Sequence, residues 1–310
     1  MGTDSLPIQE KKVIFSYLSA HSILNPMKYL LLSSTLLFFI SVRLQAQIGA
    51  SSPHKPGYRL VWADDFSGKG APDHRFWSFE HGFKRNEELQ WYQPDNARLE
   101  KGLLLIEGRR ERVKNPGFED GSRDWKKNRP FSRYTSSSIH TLGKFSFQYG
   151  LLEVRAKIDT ASGLWPAIWT LGVEGPWPAN GEIDVMEYYL ANGEPTILAN
   201  AAWAHPEKRA AWDESKVPLS DLLQKDPEWP DKFHVWKLDW TAEYIKIYLD
   251  DMLINEVDVT ETVNPDGTNP FHQPHYLLLN LAIGSNGGNP DSTAFPVTYQ
   301  VDYVRVYQKE

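Results

Sequence analysis

Three carboxylic acids fall within six residues at Glu182-Ile183-Asp184-Val185-Met186-Glu187. In an apolar strand such groups are costly to bury unless they face solvent or a ligand. Alternation at period two puts Glu182 and Asp184 on one face and Glu187 on the other. A β-bulge at Val185-Met186 adds one residue and returns Glu187 to the Glu182 face. A pair of acids on one face can break a glycosidic bond, one attacking and the other protonating the leaving oxygen. Retention of configuration needs carboxyls about 5–5.5 Å apart, whereas four pleats of a flat strand span about 13 Å. Inward-leaning side chains and a concave sheet must close that gap. Asp184, between the two, raises its neighbours' pKa by like-charge repulsion and can hold a proton, which leaves Glu187 as the proton donor. Two other uses stay open: three oxygen donors can hold a hard cation such as Ca2+, or the acids line a solvated edge strand.

Aromatic and amide residues surround this motif in sequence. Trp165 and Trp169 of WPAIW share one face of a strand, and indoles stack on the apolar faces of sugar rings. The competing use for both is core. Asn86 and Glu88 precede Trp91 in NEELQWY, a run that can hydrogen-bond and stack with one sugar. Trp203, His205 and Trp212 follow the acid motif, and His205 is a candidate proton partner or a plain surface histidine. Trp236 and Trp240 alternate with Leu238 and read as core. Asn280, inside HYLLLNLAI, must find a partner if buried, and with Asn286 is a candidate cleft residue.

The elements that position these groups are strands. YRLVWADDF (58–66), GLLLIEGRRE (102–111), FSFQYGLLEVRAKI (145–158), LWPAIWTLG (164–172), GEIDVMEYY (181–189), FHVWKLDW (233–240), YIKIYLDDMLINEV (244–257), HYLLLNLAI (275–283) and YQVDYVRVYQ (299–308) are rich in β-branched and aromatic residues. Gly, Pro, Asn and Asp cluster between them. A helix signal occurs only at 218–225. The expectation is an all-β sandwich or barrel, with residues 58–310 as one domain. The charged stretch 107–129 reads as a long loop, and its basic residues invite the idea of a site for sulfated chains.

Composition narrows the function classes. The 310 residues carry 33 Lys plus Arg against 40 Asp plus Glu, net −7, with no basic stripe of the kind a nucleic-acid binder shows. The chain has no cysteine, which excludes disulfides, thiolate metal sites and a cysteine nucleophile. Twelve tryptophans suit a surface that stacks on flat ligands. Residues 30–42, LLLSSTLLFFISV, would span about 20 Å as a helix, too short for a usual membrane crossing. With Lys28 before the run and Ala46 after it, the pattern is that of a secretory signal, with Met27 as the expected start. Residues 1–46 are thus expected to be an extension plus signal, and 47–57 a flexible lead-in. The expected location is periplasmic or extracellular, without stable membrane insertion.

With these residues in view, the chain resembles glycoside hydrolase family 16, in its laminarinase-like branch. The match is Glu182-x-Asp184-x-x-Glu187, backed in order by DDFSG (64–68), NEELQWY (86–92), TLGKFSFQYGLLEVRAK (141–157), GLWPAIWTLG (163–172), HVW..DW (234–240), HYLLLNLAIG (275–284) and VDYVRVYQ (301–308). The resemblance implies a β-jelly-roll sandwich of two curved antiparallel sheets with a concave substrate cleft. It implies endo-cleavage of a β-linked polysaccharide by double displacement, β-1,3-glucan first and a red-algal galactan or mixed-linkage glucan second. Glu182 is then the nucleophile, Glu187 the acid/base, and Asp184 the group that holds the network. Sugar contacts are implied for Asn86, Glu88, Trp91, Trp165 and Trp169, and Trp203 and His205 are added as substrate-binding candidates. A structural Ca2+ near Asp65, Gly102 and Asp302 is implied, with no cofactor for catalysis and a monomeric protein. Two departures are visible: Ser138 stands where such enzymes often have Arg, and Trp203 stands near a usual His. A carbohydrate-binding protein on the same sandwich is the non-enzyme alternative.

Overall fold

The computed structural model describes residues 55–310. The expected extension and signal, with Met27, and the lead-in through residue 54 lie outside the described residues. In chain order the strands are β1 (Tyr58–Asp64), β2 (Ser78–Phe79), β3 (Gln90–Tyr92), β4 (Ala97–Glu100), β5 (Leu103–Gly108), β6 (Val113–Lys114), β7 (Phe131–Ser132), β8 (Tyr134–Ser136), β9 (Ser138–His140), β10 (Gly150–Lys157), β11 (Leu164–Gly172), β12 (Glu182–Ala191), β13 (Glu194–Trp203) and β14 (Ala211–Pro218). After helix α1 (Leu219–Lys225) come β15 (His234–Trp240), β16 (Tyr244–Leu249), β17 (Met252–Asp258), β18 (His275–Ile283) and β19 (Val297–Lys309).

Two antiparallel sheets make the sandwich. The outer sheet runs β17-β16-β15-β10-β19-β5-β4, with β1 also on β19, and the inner runs β14-β13-β12-β11-β18-β9-β2. Outer strands alternate cleanly: in HVWKLDW, His234, Trp236, Leu238 and Trp240 are buried and the residues between them are not. Inner strands do not. Nearly all of HYLLLNLAI is buried, because one face packs on the outer sheet and the other floors a cleft. Trp236 and Trp240 belong to the core between the sheets, each large apolar side chain there contributing about 1.5–3 kcal/mol.

Local chemistry moves three expected boundaries. The strand read from residue 145 begins only at Gly150, where φ is 112° and an added Cβ would lie 2.1 Å from the Tyr307 carbonyl oxygen. Glycine alone suits that approach. The single strand read over 244–257 is a hairpin, β16–β17, turning at Asp250 (φ 53°) and Asp251. The charged 107–129 stretch is not a plain loop: β6 pairs with β7, and the Asn115 side chain donates to the carbonyls of Lys126 and Arg129. The last residues of the lead-in are also held, since Lys55 ion-pairs with Glu153 at 2.6 Å. No helix among the described residues is long and apolar enough to cross a membrane.

Candidate active site

The inner sheet's register writes the site out as cross-strand rows. Paired residues share a face, so Tyr276, Leu171, Glu182, Ala202 and Trp212 form one row across five strands. The next is Leu278, Trp169, Asp184, Asn200 and Glu214, and the third is Asn280, Ala167, Glu187, Leu198 and Lys216. The register of β12 shifts between Asp184 and Glu187, and Val185 and Met186 both enter the core. The bulge expected at Val185-Met186 is therefore present, and all three acids line one cavity of about 450 Å³.

Each acid has a partner set that fits a different task. The Trp177 indole donates to Glu182 Oε2 at 2.7 Å, and the Trp165 indole donates to Glu187 Oε1 at 2.8 Å. Asn200 Nδ2 lies between the others, 3.4 Å from Asp184 Oδ2 and 3.2 Å from Glu187 Oε2. Burial is the main reason all three carboxyls titrate high: Glu182 is pushed up to about 7 and Glu187 to about 8, Glu187 raised further by the Glu182 charge. Asp184 is raised well above its usual range by burial and then by both neighbours. The side-chain interaction between Asp184 and Glu182 raises Asp184 further and lowers Glu182, which holds Glu182 below Glu187. The site thus favours an ionised Glu182 beside a protonated Glu187.

The cleft walls come from strands and loops together. Trp165, Trp169, Asn86, Glu88, Asn280 and Asn286 all line the cavity, as the sequence suggested. Trp169 donates to Asn280 at 2.7 Å, and Asn280 in turn donates to the Tyr92 hydroxyl. Asn86 and Glu87 both adopt left-handed backbone (φ 54° and 53°), a turn fixed by Ser285 donating to the Asn86 carbonyl. This drives Glu88 inward, where it is 2% exposed, accepts from Gln90 at 2.6 Å and is pushed up to about 7 by burial.

Three residues expected at the sugar lie outside the cavity lining. Trp91 alternates with the buried Gln90 and Tyr92 and turns the other way, edge-on to Phe83. Trp203 is one pleat out of phase with Asn200 and Ala202, so it packs on the core between the sheets. His205 stays outside the cavity, its Nδ1 accepting from the amides of Glu207 and Lys208. The basic 107–133 segment contributes nothing to the cleft wall; Arg129 covers the Phe83 ring and donates to the Glu88 carbonyl from outside. Two of the three residues expected at calcium are held in ion pairs. Gly102 is a turn residue, Asp65 accepts from Arg305 at 2.8 Å and Asp302 accepts from Arg155 at 2.6 Å.

Several cleft residues escaped the sequence reading, four of which bear on the acids and tryptophans already described. Trp177 lies only five residues before Glu182. Asn200 follows from counting back along the β12–β13 hairpin from its Asn192-Gly193 turn, with the bulge allowed for. Arg85 ion-pairs with Glu80, which also accepts from Ser138, and its guanidinium covers the Trp169 ring at 5.0 Å. Arg209 stacks over Trp177 at 4.8 Å. Arg85 and Ser138 thus meet at Glu80, and Asn200, not Trp203, meets the acids from β13.

Comparison with known proteins gives the same reading. The profile of the family described as "Glycosyl hydrolases family 16" matches residues 109–305. A "Beta-glucanase" of Rhodothermus marinus is 32% identical over 292 residues, covering 87% of this chain and 93% of that protein. Among solved structures, one from work on endo-acting O-glycanases of the human gut microbiota superposes with a TM-score of 0.74 at 35% identity, covering 83% of this chain and 93% of that one. A non-specific endo-β-1,3(4)-glucanase of family 16 gives 0.67 at 36% identity, covering 84% and 94%. A profile spanning most of the sandwich, and a relative that runs nearly end to end beside it, place this chain in the family 16 glycosyl hydrolases.

Proposed function

We propose that this glycosyl hydrolase cuts β-1,3-glucan internally, with retention, by double displacement. The observation that carries the chemistry is the pairing of an ionisable Glu182 with a proton-holding Glu187 on one concave face. Glu182 attacks the anomeric carbon while Glu187 gives its proton to the leaving oxygen; water, deprotonated by Glu187, then releases the glycosyl ester. Asp184 and the Trp177 indole hold the Glu182 carboxylate, and Trp165 and Asn200 aim Glu187. An open cleft accepts a chain anywhere along its length, which suits endo-cleavage. The glucan assignment draws on the glucanase names of its relatives.

A galactose-containing glycan is the second reading. It is favoured by the fit to the O-glycanase structure and by Ser138 and Trp203 standing where the laminarinase pattern has other residues. Chromatography of products from laminarin, lichenan, agarose, porphyran, κ-carrageenan and a mucin separates the two. A ladder of gluco-oligosaccharides from laminarin is expected; a ladder only from a galactan or mucin overturns the substrate assignment and keeps the chemistry. Export through the 30–42 run is part of this proposal, and the mass of the protein recovered outside the cytoplasm tests it.

A further inference from the structure

Trp212 is the one tryptophan among the exposed large apolar residues of the described chain, at 42% exposure, and it lines the cleft. An indole so exposed has no packing role that explains it. Its place is fixed by register: Glu182 pairs with Ala202 and Ala202 with Trp212, so the ring stands on the edge strand β14, in the nucleophile's own row. Neighbouring strands are about 4.8 Å apart, which sets Trp212 about 10 Å from Glu182, the reach of about two sugar rings. Glu214 follows on the same face of β14, salt-bridged to Lys216 at 2.8 Å, and its second oxygen is free to accept from sugar hydroxyls.

From this juxtaposition we propose that Trp212 and Glu214 form a distal sugar-binding subsite about two rings beyond the sugar held over Glu182, the third from the scissile bond. The occupant is the same β-linked chain that lies over the acids. Trp212 stacks on the apolar face of one ring and Glu214 accepts from its hydroxyls. The subsite makes turnover depend on chain length and fixes which bond of a short oligosaccharide is cut. This rests on the hydrolase reading above, and the test keeps the two apart.

The wild type and Trp212→Ala are given β-1,3-gluco-oligosaccharides of three and six sugars, the longer one labelled at its reducing end. The variant is expected to lose about tenfold in kcat/KM on the six-sugar chain and less than about twofold on the three-sugar chain, as stacking worth about 1–2 kcal/mol requires. The labelled products shift toward a different cleavage position. An equal loss on both lengths, or an unchanged cleavage position, overturns the subsite. Failure of the wild type on laminarin would instead overturn the substrate assignment, and the same two lengths cut from the polymer it does digest would then read the subsite. Trp212→Phe, which keeps a stacking ring, is expected to recover most of the six-sugar activity; no recovery counts against stacking.

Discussion

Replacing Glu187 with Gln should stabilise this protein at alkaline pH while abolishing hydrolysis. Burial and the Glu182 charge raise Glu187 from an ordinary 4.5 to about 8. The folded protein therefore binds more protons than the unfolded chain between those values, and wild-type stability falls as pH rises through that window. Each pKa unit is worth about 1.4 kcal/mol, so an isolated group shifted this far would cost about 5 kcal/mol above pH 8. Part of that repulsion is shared with Glu182, which leaves about 3 kcal/mol as the expected gain. The amide fits the site: Trp165 still donates to its oxygen, and Asn200 Oδ1, buried without a partner, can turn to accept from its nitrogen. Guanidinium unfolding at about pH 4, 6 and 9 reads the difference directly. The variant and wild type should nearly coincide at about pH 4 and diverge steadily to about pH 9. A difference that does not change with pH, or a variant weaker than wild type at about pH 9, refutes the argument from buried charge.

Hydrolysis needs Glu182 ionised and Glu187 protonated, so kcat/KM should rise through about 7 and fall through about 8, as the titration of the coupled pair; an optimum near about pH 4 would count against it. Trp177→Phe removes a donor that favours the Glu182 carboxylate. A pH–rate profile should show the acidic limb moved upward and about a tenfold loss below it, given about 1.5 kcal/mol or more for a charged hydrogen bond. Arg85→Met leaves Glu80 with Ser138 and a longer contact to Lys84 at 3.9 Å, and denaturant unfolding should show a loss of about 3 kcal/mol; a loss under about 1 kcal/mol would mean the pair is solvated. His205→Ala should change kcat/KM on laminarin less than about twofold, since the imidazole only caps its own turn; a large loss would return His205 to the cleft.

Strand identity and the catalytic acids were legible in sequence because both obey short-range rules. Period two places Glu182 and Asp184 together, and one bulge restores Glu187. The same alternation locates Trp236 and Trp240 in the core. What escaped depends on partners distant in sequence. Trp203 and Asn200 are separated by three positions, yet which one meets the acids depends on counting across the Asn192-Gly193 turn and through the bulge. Arg85 reached the cleft through a backbone turn at Asn86 and Glu87 that composition does not announce. The basic 107–133 segment misled because charge alone does not say which way a side chain points. There the arginines lie over aromatic rings, as Arg112 does on Phe131 at 3.5 Å and Arg129 on Phe83 at 3.9 Å.

The bulge in β12 has a consequence for how such a gene can change. On either side of Val185 and Met186 the strand keeps its own phase, Glu182 and Asp184 before it, Glu187 and Tyr189 after it. Losing one of the two bulge codons would leave a regular strand, Glu-x-Asp-x-Glu, with every acid still over the cleft and the last one still opposite Leu198. Losing a codon elsewhere in the strand would turn half of its side chains inside out. The active site thus contains one point at which a single-codon deletion removes a bulge without inverting the strand.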